Sequence, residues 1–218
     1  MRTLLKDLDS QILTMVHWLG KLSSAGDLQS SHDCRILDYG LTFRTLRENF
    51  CMSEFINVLI AIDAETILGK YGKNTDPNSP TSIPDSSSLI YMTTRQNQLG
   101  STPGSELTVS ASPMDIIRWR ETTLSLNSEY TSVLYRFNAL SGQDLISTPV
   151  PRSVVLNEPR PSSQDPLNPT TQKINSYYWE SEVLDTGTVT YNFSFMILNH
   201  KGEKQGYYYW DPYINIQD

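Results

Sequence analysis

The chain has 218 residues, 38% of them hydrophobic and 19% charged, which is enough apolar material for one large domain with a true core. Its formal net charge is −7. Because an acidic surface repels phosphate groups, nucleic acids and anionic membranes are not expected partners. The 2 cysteines and 3 histidines are too few for a disulfide framework or a structural zinc site, so we expect no metal site.

The N-terminal residues do not show the pattern of a secretory signal. No apolar run of the sequence is long enough to cross a bilayer. Asp7, Asp9 and His17 interrupt the first apolar stretch, which also lacks the cleavage site of a secretory signal. The sequence therefore predicts a cytoplasmic protein.

The composition changes near residue 51. All 12 prolines follow this point, and the net charge of −7 belongs to residues 52–218, since residues 1–51 are neutral. An apolar helical face in residues 5–19 predicts a helical or flexible extension over residues 1–51, followed by a domain over residues 52–218. Met52-Ser53-Glu54 also resembles an ordinary protein start, so a native extension and an upstream start-site artefact are both open alternatives.

Alternating apolar and polar residues predict strand after strand in the second part. Residues 55–62 predict a central buried strand, and Asp63 predicts the cap of a short helix that ends at Gly69 or Gly72. Further strands are predicted over 88–94, 106–111, 115–121, 130–138, 174–184, 188–198 and 205–216, with a proline-rich extended connection over 157–171. The expected fold class is mainly β: an antiparallel two-sheet β-sandwich with a short helix after the first strand and an N-terminal helical extension.

Two aromatic segments supply the candidate ligand or interface residues. In residues 116–121, Trp119 alternates with Arg118 and Arg120, so Trp119 is either a core aromatic or part of a site with Arg120 and Glu121 at its polar rim. In residues 207–210, one pair of rings belongs to the core, and the other either packs under a loop or is displayed to a sugar or a partner protein. The candidates are Trp119, Arg120, Glu121, Tyr208, Trp210 and Asp211.

No catalytic motif is present in the sequence. A nucleophile elbow, a His-Glu-x-x-His pair and a phosphate-binding glycine loop are all missing. The oxygen-rich residues 74–80 offer calcium ligands, although such loops usually form their own turns. Glu180 and Glu182 share a strand face, which keeps a carboxylate-dependent hydrolase open as a minor alternative, but no catalytic residue is assigned.

Several blocks of the second part together resemble the bacterial inclusion body protein family, known as PixA or AidA-like proteins. The blocks are Ile56-Asn57-Val58-Leu59-Ile60-Ala61-Ile62-Asp63, Ile117-Arg118-Trp119-Arg120-Glu121-Thr122, Leu126-Asn127-Ser128-Glu129-Tyr130, Asp144-Leu145-Ile146-Ser147-Thr148-Pro149 and Gly206-Tyr207-Tyr208-Tyr209-Trp210-Asp211-Pro212-Tyr213-Ile214. The resemblance runs from about residue 52 to the C-terminus. It implies an abundant bacterial protein associated with intracellular inclusion bodies and host-related expression, and it implies no enzyme activity, cofactor or catalytic residue.

These observations lead to one expected function with alternatives. We expect a non-enzymatic, self-associating or ligand-binding β-sandwich, present in the cytoplasm or in inclusion bodies and linked to host interaction. We expect the chain to form a homo-oligomer or a larger self-assembly. A carbohydrate or a host protein is the candidate ligand. A lectin-like module that stacks a sugar on Tyr208 or Trp210 is the alternative.

Overall fold

The structure is a computed structural model, and it describes residues 53–217. This part contains 11 strands, one α-helix and two short 3-10 helices, Ser86–Ser88 and Gln96–Gln98. The predicted extension over residues 1–51 lies outside the described residues. The elements are β1 Phe55–Ile62, α1 Ala64–Tyr71, β2 Thr81–Ser82, β3 Ile90–Thr93, β4 Leu107–Ser110, β5 Ile116–Thr123, β6 Tyr130–Ser141, β7 Val150–Arg160, β8 Thr170–Glu182, β9 Gly187–Asn199, β10 Lys204–Trp210 and β11 Tyr213–Gln217.

The strands form two sheets. The first sheet has the order β3-β1-β5-β8-β7. In the second, β10 and β11 follow each other along one edge of β9, β6 pairs with the other edge, and β2 and β4 extend the sheet beyond β10 and β11. The mainly β, two-sheet prediction is therefore confirmed.

The prediction of purely antiparallel sheets is wrong, because three strand pairs are parallel. These pairs are β1–β5, β2–β10 and β4–β11. Parallel neighbours need a long crossover connection, and the segment between β1 and β5, which begins with α1, provides one. The antiparallel expectation assumed that successive strands pair by hairpins, which holds for β7–β8 and β9–β10 but not for β1.

Local capping fixes the first helix. The Asp63 carboxylate accepts a hydrogen bond from the Thr66 backbone N–H at 3.1 Å, and Gly72 ends the helix at a φ of 68°. A positive φ is inexpensive only for glycine. The prediction of a helix capped by Asp63 is confirmed, with Gly72 as its end.

Two other sequence predictions of strand boundaries are wrong, and proline explains both. Residues 157–160 and 170–171, predicted as connection, belong to β7 and β8, because β7 is an edge strand, the position in a sheet that tolerates prolines such as Pro151 and Pro159. The single strand predicted over 205–216 is two strands, since Asp211 and Pro212 separate β10 from β11.

An aromatic core joins the two sheets. Trp119 of the first sheet lies 6.2 Å from Phe193 and 6.3 Å from Tyr191 of the second, measured between ring centroids. Trp179 packs edge-on against Phe193 at 5.4 Å, and its indole N–H donates to the Leu134 carbonyl at 3.2 Å. Rings from both sheets interdigitate, which is the arrangement of a β-sandwich core.

Candidate functional site

The three candidate rings are all buried. Trp119 and Tyr208 are 0% exposed and Trp210 is 1% exposed. A sugar cannot stack on a ring that solvent does not reach. The core alternative is therefore the correct one for Trp119, and the sugar-stacking interpretation of Tyr208 and Trp210 is wrong.

The other two rings of the 207–210 run face away from the core. Tyr207 is covered by the loop of residues 74–80, since its backbone N–H donates to the Asn74 carbonyl at 3.0 Å. Its ring also packs edge-on against Tyr135 at 5.6 Å. Tyr209 lies on the same side of β10 and stays half-buried, so it is the ring of this run that remains accessible.

The oxygens of the 74–80 loop hold the loop itself together. The Asn74 side chain donates to the Ser79 carbonyl at 2.7 Å and accepts from the Asp76 N–H at 2.9 Å. The Asp76 carboxylate accepts from the Asn78 N–H at 2.9 Å. These hydrogen bonds form the local turns that were the expected alternative to a calcium site. Within residues 53–217, no cluster of three His, Cys, Asp or Glu residues could hold a metal ion.

Arg120 and Glu121 leave β5 on opposite faces, because consecutive strand residues alternate, but both side chains reach Tyr177. Arg120 faces outward, where its guanidinium donates to the Tyr177 carbonyl at 2.6 Å and lies 4.2 Å from the centre of the Tyr177 ring. Glu121 faces inward and is 4% exposed. The burial of Glu121 argues against an open polar rim, and the joint role of these two residues in a binding site stays a prediction.

The Glu121 carboxyl is a buried acid with one strong partner. The Tyr177 hydroxyl donates to its Oε1 atom, and its Oε2 atom has no hydrogen-bond partner within the described residues. Burial raises the pKa of Glu121 above its usual range, with the Tyr177 hydrogen bond opposing that shift. Burial, followed by the nearby carboxylate, raises the pKa of the Tyr177 hydroxyl. The pair ties β5 to β8 just beyond the point where their ladder ends at Trp119 and Trp179.

Glu180 and Glu182 share the outward face of β8, as predicted. The Glu180 carboxylate is already paired, with the Arg118 guanidinium at 2.9 Å and with that of Arg152 at 3.4 Å. Glu182 is exposed on the open sheet. A carboxylate held between two arginines on an open face is suited to structural pairing rather than to the general acid chemistry of a hydrolase.

The outward side of the first sheet carries large apolar and aromatic side chains that no described element covers. Phe55 and Leu59 of β1 are each 44% exposed, and Tyr91 of β3 is 40% exposed. We call this surface the first-sheet face; it comprises Phe55, Leu59, Tyr91, Arg118, Arg120, Val150, Arg152, Tyr178, Glu180 and Glu182.

Several side chains of the first-sheet face contact one another. The Arg118 guanidinium lies 3.7 Å from the centre of the Phe55 ring and 4.6 Å from that of Tyr178. Cation–π contacts and the Glu180 ion pair hold this arginine in one place. The sequence missed Phe55 and Leu59 because the apolar run of β1 predicts burial on both faces, whereas the observed burial alternates.

Asp211 lies next to a separate polar cavity on the outward side of the second sheet and contacts its lining through Asn192. The cavity has a volume of about 270 Å³ and is lined by Asn78, Pro80, Arg136, Asn138, Asn192, Ser194 and Tyr209. The Asn192 amide donates to the Asp211 carboxylate and its oxygen accepts from Asn138 at 3.3 Å, so Asp211 stands at the cavity's edge. Partial burial raises the pKa of Asp211.

Only part of this cavity has a sequence signal. The alternation of β9 places Asn192 and Ser194 opposite its core residues, so their outward position follows from the two-residue period. Arg136 has no such signal, because a β-bulge between Leu134 and Arg136 shifts its register. The function of Arg120, Glu121 and Asp211 in ligand binding stays a prediction.

The fold and sequence both match known proteins. A crystal structure of an inclusion body protein (PixA) from Burkholderia cenocepacia matches with a TM-score of 0.64 and 20% identity, over 77% of this chain and 98% of that one. At this identity the likeness concerns the fold alone. No curated protein matches the chain, and no helix among residues 53–217 is long and apolar enough to span a membrane. The family model described as "Inclusion body protein" (PixA) matches residues 54–216, and the chain therefore belongs to the PixA inclusion body protein family.

Proposed function

We propose that this chain is a non-enzymatic protein that accumulates by binding further copies of itself through the first-sheet face. The observation that carries the proposal is the exposure of Phe55, Leu59 and Tyr91 together on one side of a sheet. Contiguous apolar surface on a folded protein commonly marks an interaction site.

The composition of the first-sheet face suits a protein interface. Tyr, Phe and Arg are enriched at the centres of interfaces, where they account for most of the binding free energy. Arg118 is already fixed between the Phe55 and Tyr178 rings. Because its side chain is ordered before binding, association loses less conformational entropy.

Charge favours another copy of this acidic chain as the occupant. Residues 52–218 contain 11 Lys and Arg against 18 Asp and Glu. The first-sheet face has three of those arginines and only two of the acids, Glu180 and Glu182. This face is therefore positive relative to its surroundings, and the acidic surface of a second copy complements it.

Family membership supports the same function. The family is described by the inclusion body, which is a dense accumulation of one protein, and a self-binding face gives each molecule a way to add to it. We expect the protein to accumulate as inclusions in the cell that makes it.

Sedimentation velocity of the full chain over a range of concentrations tests this function. We expect the weight-average mass of the native chain to rise with concentration. In the double variant Phe55→Thr and Leu59→Thr the association constant should fall by about tenfold or more, equivalent to about 1.4 kcal/mol. Threonine keeps the β-propensity of the strand while it removes apolar contact area.

A matched control separates the face from general loss of apolar surface. Val155 and Leu167 are 63% and 91% exposed and lie on the distal part of the β7–β8 hairpin, away from the core of the sheet. The double variant Val155→Thr and Leu167→Thr should associate like the native chain. A native chain that stays monomeric at every concentration contradicts the function, and so does equal weakening by both double variants.

A further inference from the structure

We propose that the polar cavity on the outward side of the second sheet binds a small, neutral, polyhydroxylated ligand, the size of one sugar ring. The cavity lies between β6, β9, β10 and the loop of residues 74–80. It is on the opposite sheet from the first-sheet face, so this inference does not depend on self-association.

A break in strand register builds one side of the cavity. Leu134 pairs with Phe195 and Arg136 with Ser194, so Tyr135 is an extra residue in β6. The bulge turns Leu134 and Phe137 toward the core while both Tyr135 and Arg136 face outward. Bulges commonly re-aim side chains next to functional sites.

The same two residues anchor the loop that forms the opposite wall. The Tyr135 hydroxyl donates to the Pro77 carbonyl at 3.0 Å, and the Arg136 guanidinium donates to the same oxygen at 2.8 Å. The wall that Asn78 and Pro80 contribute is therefore tied to the sheet before any ligand arrives. Such preorganisation reduces the entropy lost on binding.

The floor of the cavity is a row of connected polar side chains that crosses three segments. Asn138 of β6 donates to Asn192 of β9, and Asn192 donates to Asp211 after β10. This chain fixes the orientation of both amides, so each presents defined donors and acceptors. Vicinal hydroxyl groups, which donate and accept at once, match carboxamide and carboxylate groups placed side by side.

Tyr209 and Ser194 complete a sugar-binding composition. Tyr209 is the accessible ring of the 207–210 run and lines the cavity. An aromatic ring with a polar tip provides a flat apolar surface for the C–H face of a pyranose. The volume of about 270 Å³ lies just below the range of about 300 to 1,000 Å³ for drug-sized ligands and suits an occupant of about one ring.

The charges in the cavity favour a neutral ligand over an anion. Arg136 is the cation of the lining, and its guanidinium is already engaged with Pro77. The Asp211 carboxylate at the edge opposes any negative group that approaches. The Asp211 carboxylate therefore offsets the positive charge of Arg136, and a phosphate or sulfated ligand gains no net attraction.

The full chain is tested first on an array of neutral, sialylated and sulfated glycans. Saturation-transfer NMR and titration with the neutral monosaccharide of the best-bound glycan then measure its affinity. We expect binding to neutral glycans. The variants Asn192→Ala and Asp211→Asn should each weaken it about tenfold or more, since the first removes the central amide of the row and the second replaces its charged acceptor with a neutral one.

Asn175→Ala is the matched control, because Asn175 is an exposed asparagine on β8 of the other sheet, and it should bind like the native chain. Asp211→Asn preserves the shape of the side chain, so it tests the ligand-binding proposal even where Asn192→Ala disturbs folding. The proposal is overturned if no neutral glycan binds at millimolar concentration or if only charged glycans bind. It is also overturned if Asp211→Asn leaves the affinity unchanged. These outcomes are independent of the association measured with the first-sheet variants.

Discussion

At the scale of a residue, Glu121 shows how strand alternation determines whether a carboxyl group is buried or exposed. Its neighbour Arg120 faces solvent, while the Glu121 carboxyl lies in the core with one oxygen satisfied by Tyr177 and the other unpartnered in the described structure. A buried carboxylate loses hydration, so its charged form is disfavoured. Arg120 and Glu121 leave the strand on opposite faces and meet only through Tyr177, whose ring lies 4.2 Å from the Arg120 guanidinium and whose hydroxyl donates to Glu121.

The raised pKa of Glu121 makes stability fall as pH rises. Because the folded state holds the proton more tightly than the unfolded state, the contribution of Glu121 is largest below its ordinary pKa of 4.5. It decreases as pH rises from there through the raised folded-state pKa, and is constant above it. We expect Glu121→Gln, which stays neutral, to gain stability relative to the native chain over this window.

Urea unfolding followed by tryptophan fluorescence, at about pH 4 and about pH 8, measures the difference in the free energy of unfolding between Glu121→Gln and the native chain. Glu129→Gln removes one negative charge at an exposed position and serves as the control. A difference for Glu121→Gln that is the same at both pH values contradicts this account of the carboxyl.

At the scale of an element, β10 depends on a glycine that lies beneath a ring. A Cβ atom added at Gly206 would stand 2.7 Å from the Cε2 and Cζ atoms of Tyr208, which is buried and donates its hydroxyl to the Gly72 carbonyl. The ring has no room to move, so we expect Gly206→Ala to destabilise the fold by about 1–3 kcal/mol.

Gly69→Ala in α1 is the contrasting variant. A Cβ atom there meets nothing within 4 Å, and alanine lowers the entropy of the unfolded chain and raises helix propensity, so a gain of about 0.5–1 kcal/mol is expected. Thermal unfolding of both variants by circular dichroism compares them. Small and equal changes in melting temperature for the two variants would show that the Tyr208 ring can move to make room for the added Cβ atom.

The elements also show what the sequence can predict. β9 and α1 are predictable because a two-residue period and an Asp63 cap are local signals. The strand β7 is not, since its two prolines argue against a ladder and only its edge position admits them. The outward turn of Arg136 is equally hidden, because a bulge depends on pairing with β9 rather than on local sequence. Half of the cavity was therefore predictable and half was not.

At the scale of the whole molecule, the uneven distribution of charge bears on how copies would associate under the proposed function. The first-sheet face is richer in arginine than in acid, whereas residues 52–218 as a whole are strongly acidic. A contact between this face and a different, acidic surface of the next copy is heterologous. Unless its rotation closes a ring, such a contact repeats without limit, which suits accumulation in an inclusion.

Open-ended association leaves a signature in mass and in salt dependence. We expect the weight-average mass of the full chain to keep rising with concentration beyond that of a dimer. Raising the salt from about 0.1 M to about 1 M shortens the Debye length from about 10 Å to about 3 Å, which weakens attraction between opposite charges and lowers the mass at a given concentration. Light scattering across both series measures this. A plateau at twice the monomer mass would instead indicate a closed, symmetric dimer, and growth that strengthens with salt would indicate that apolar contact overcomes the repulsion of the net charge.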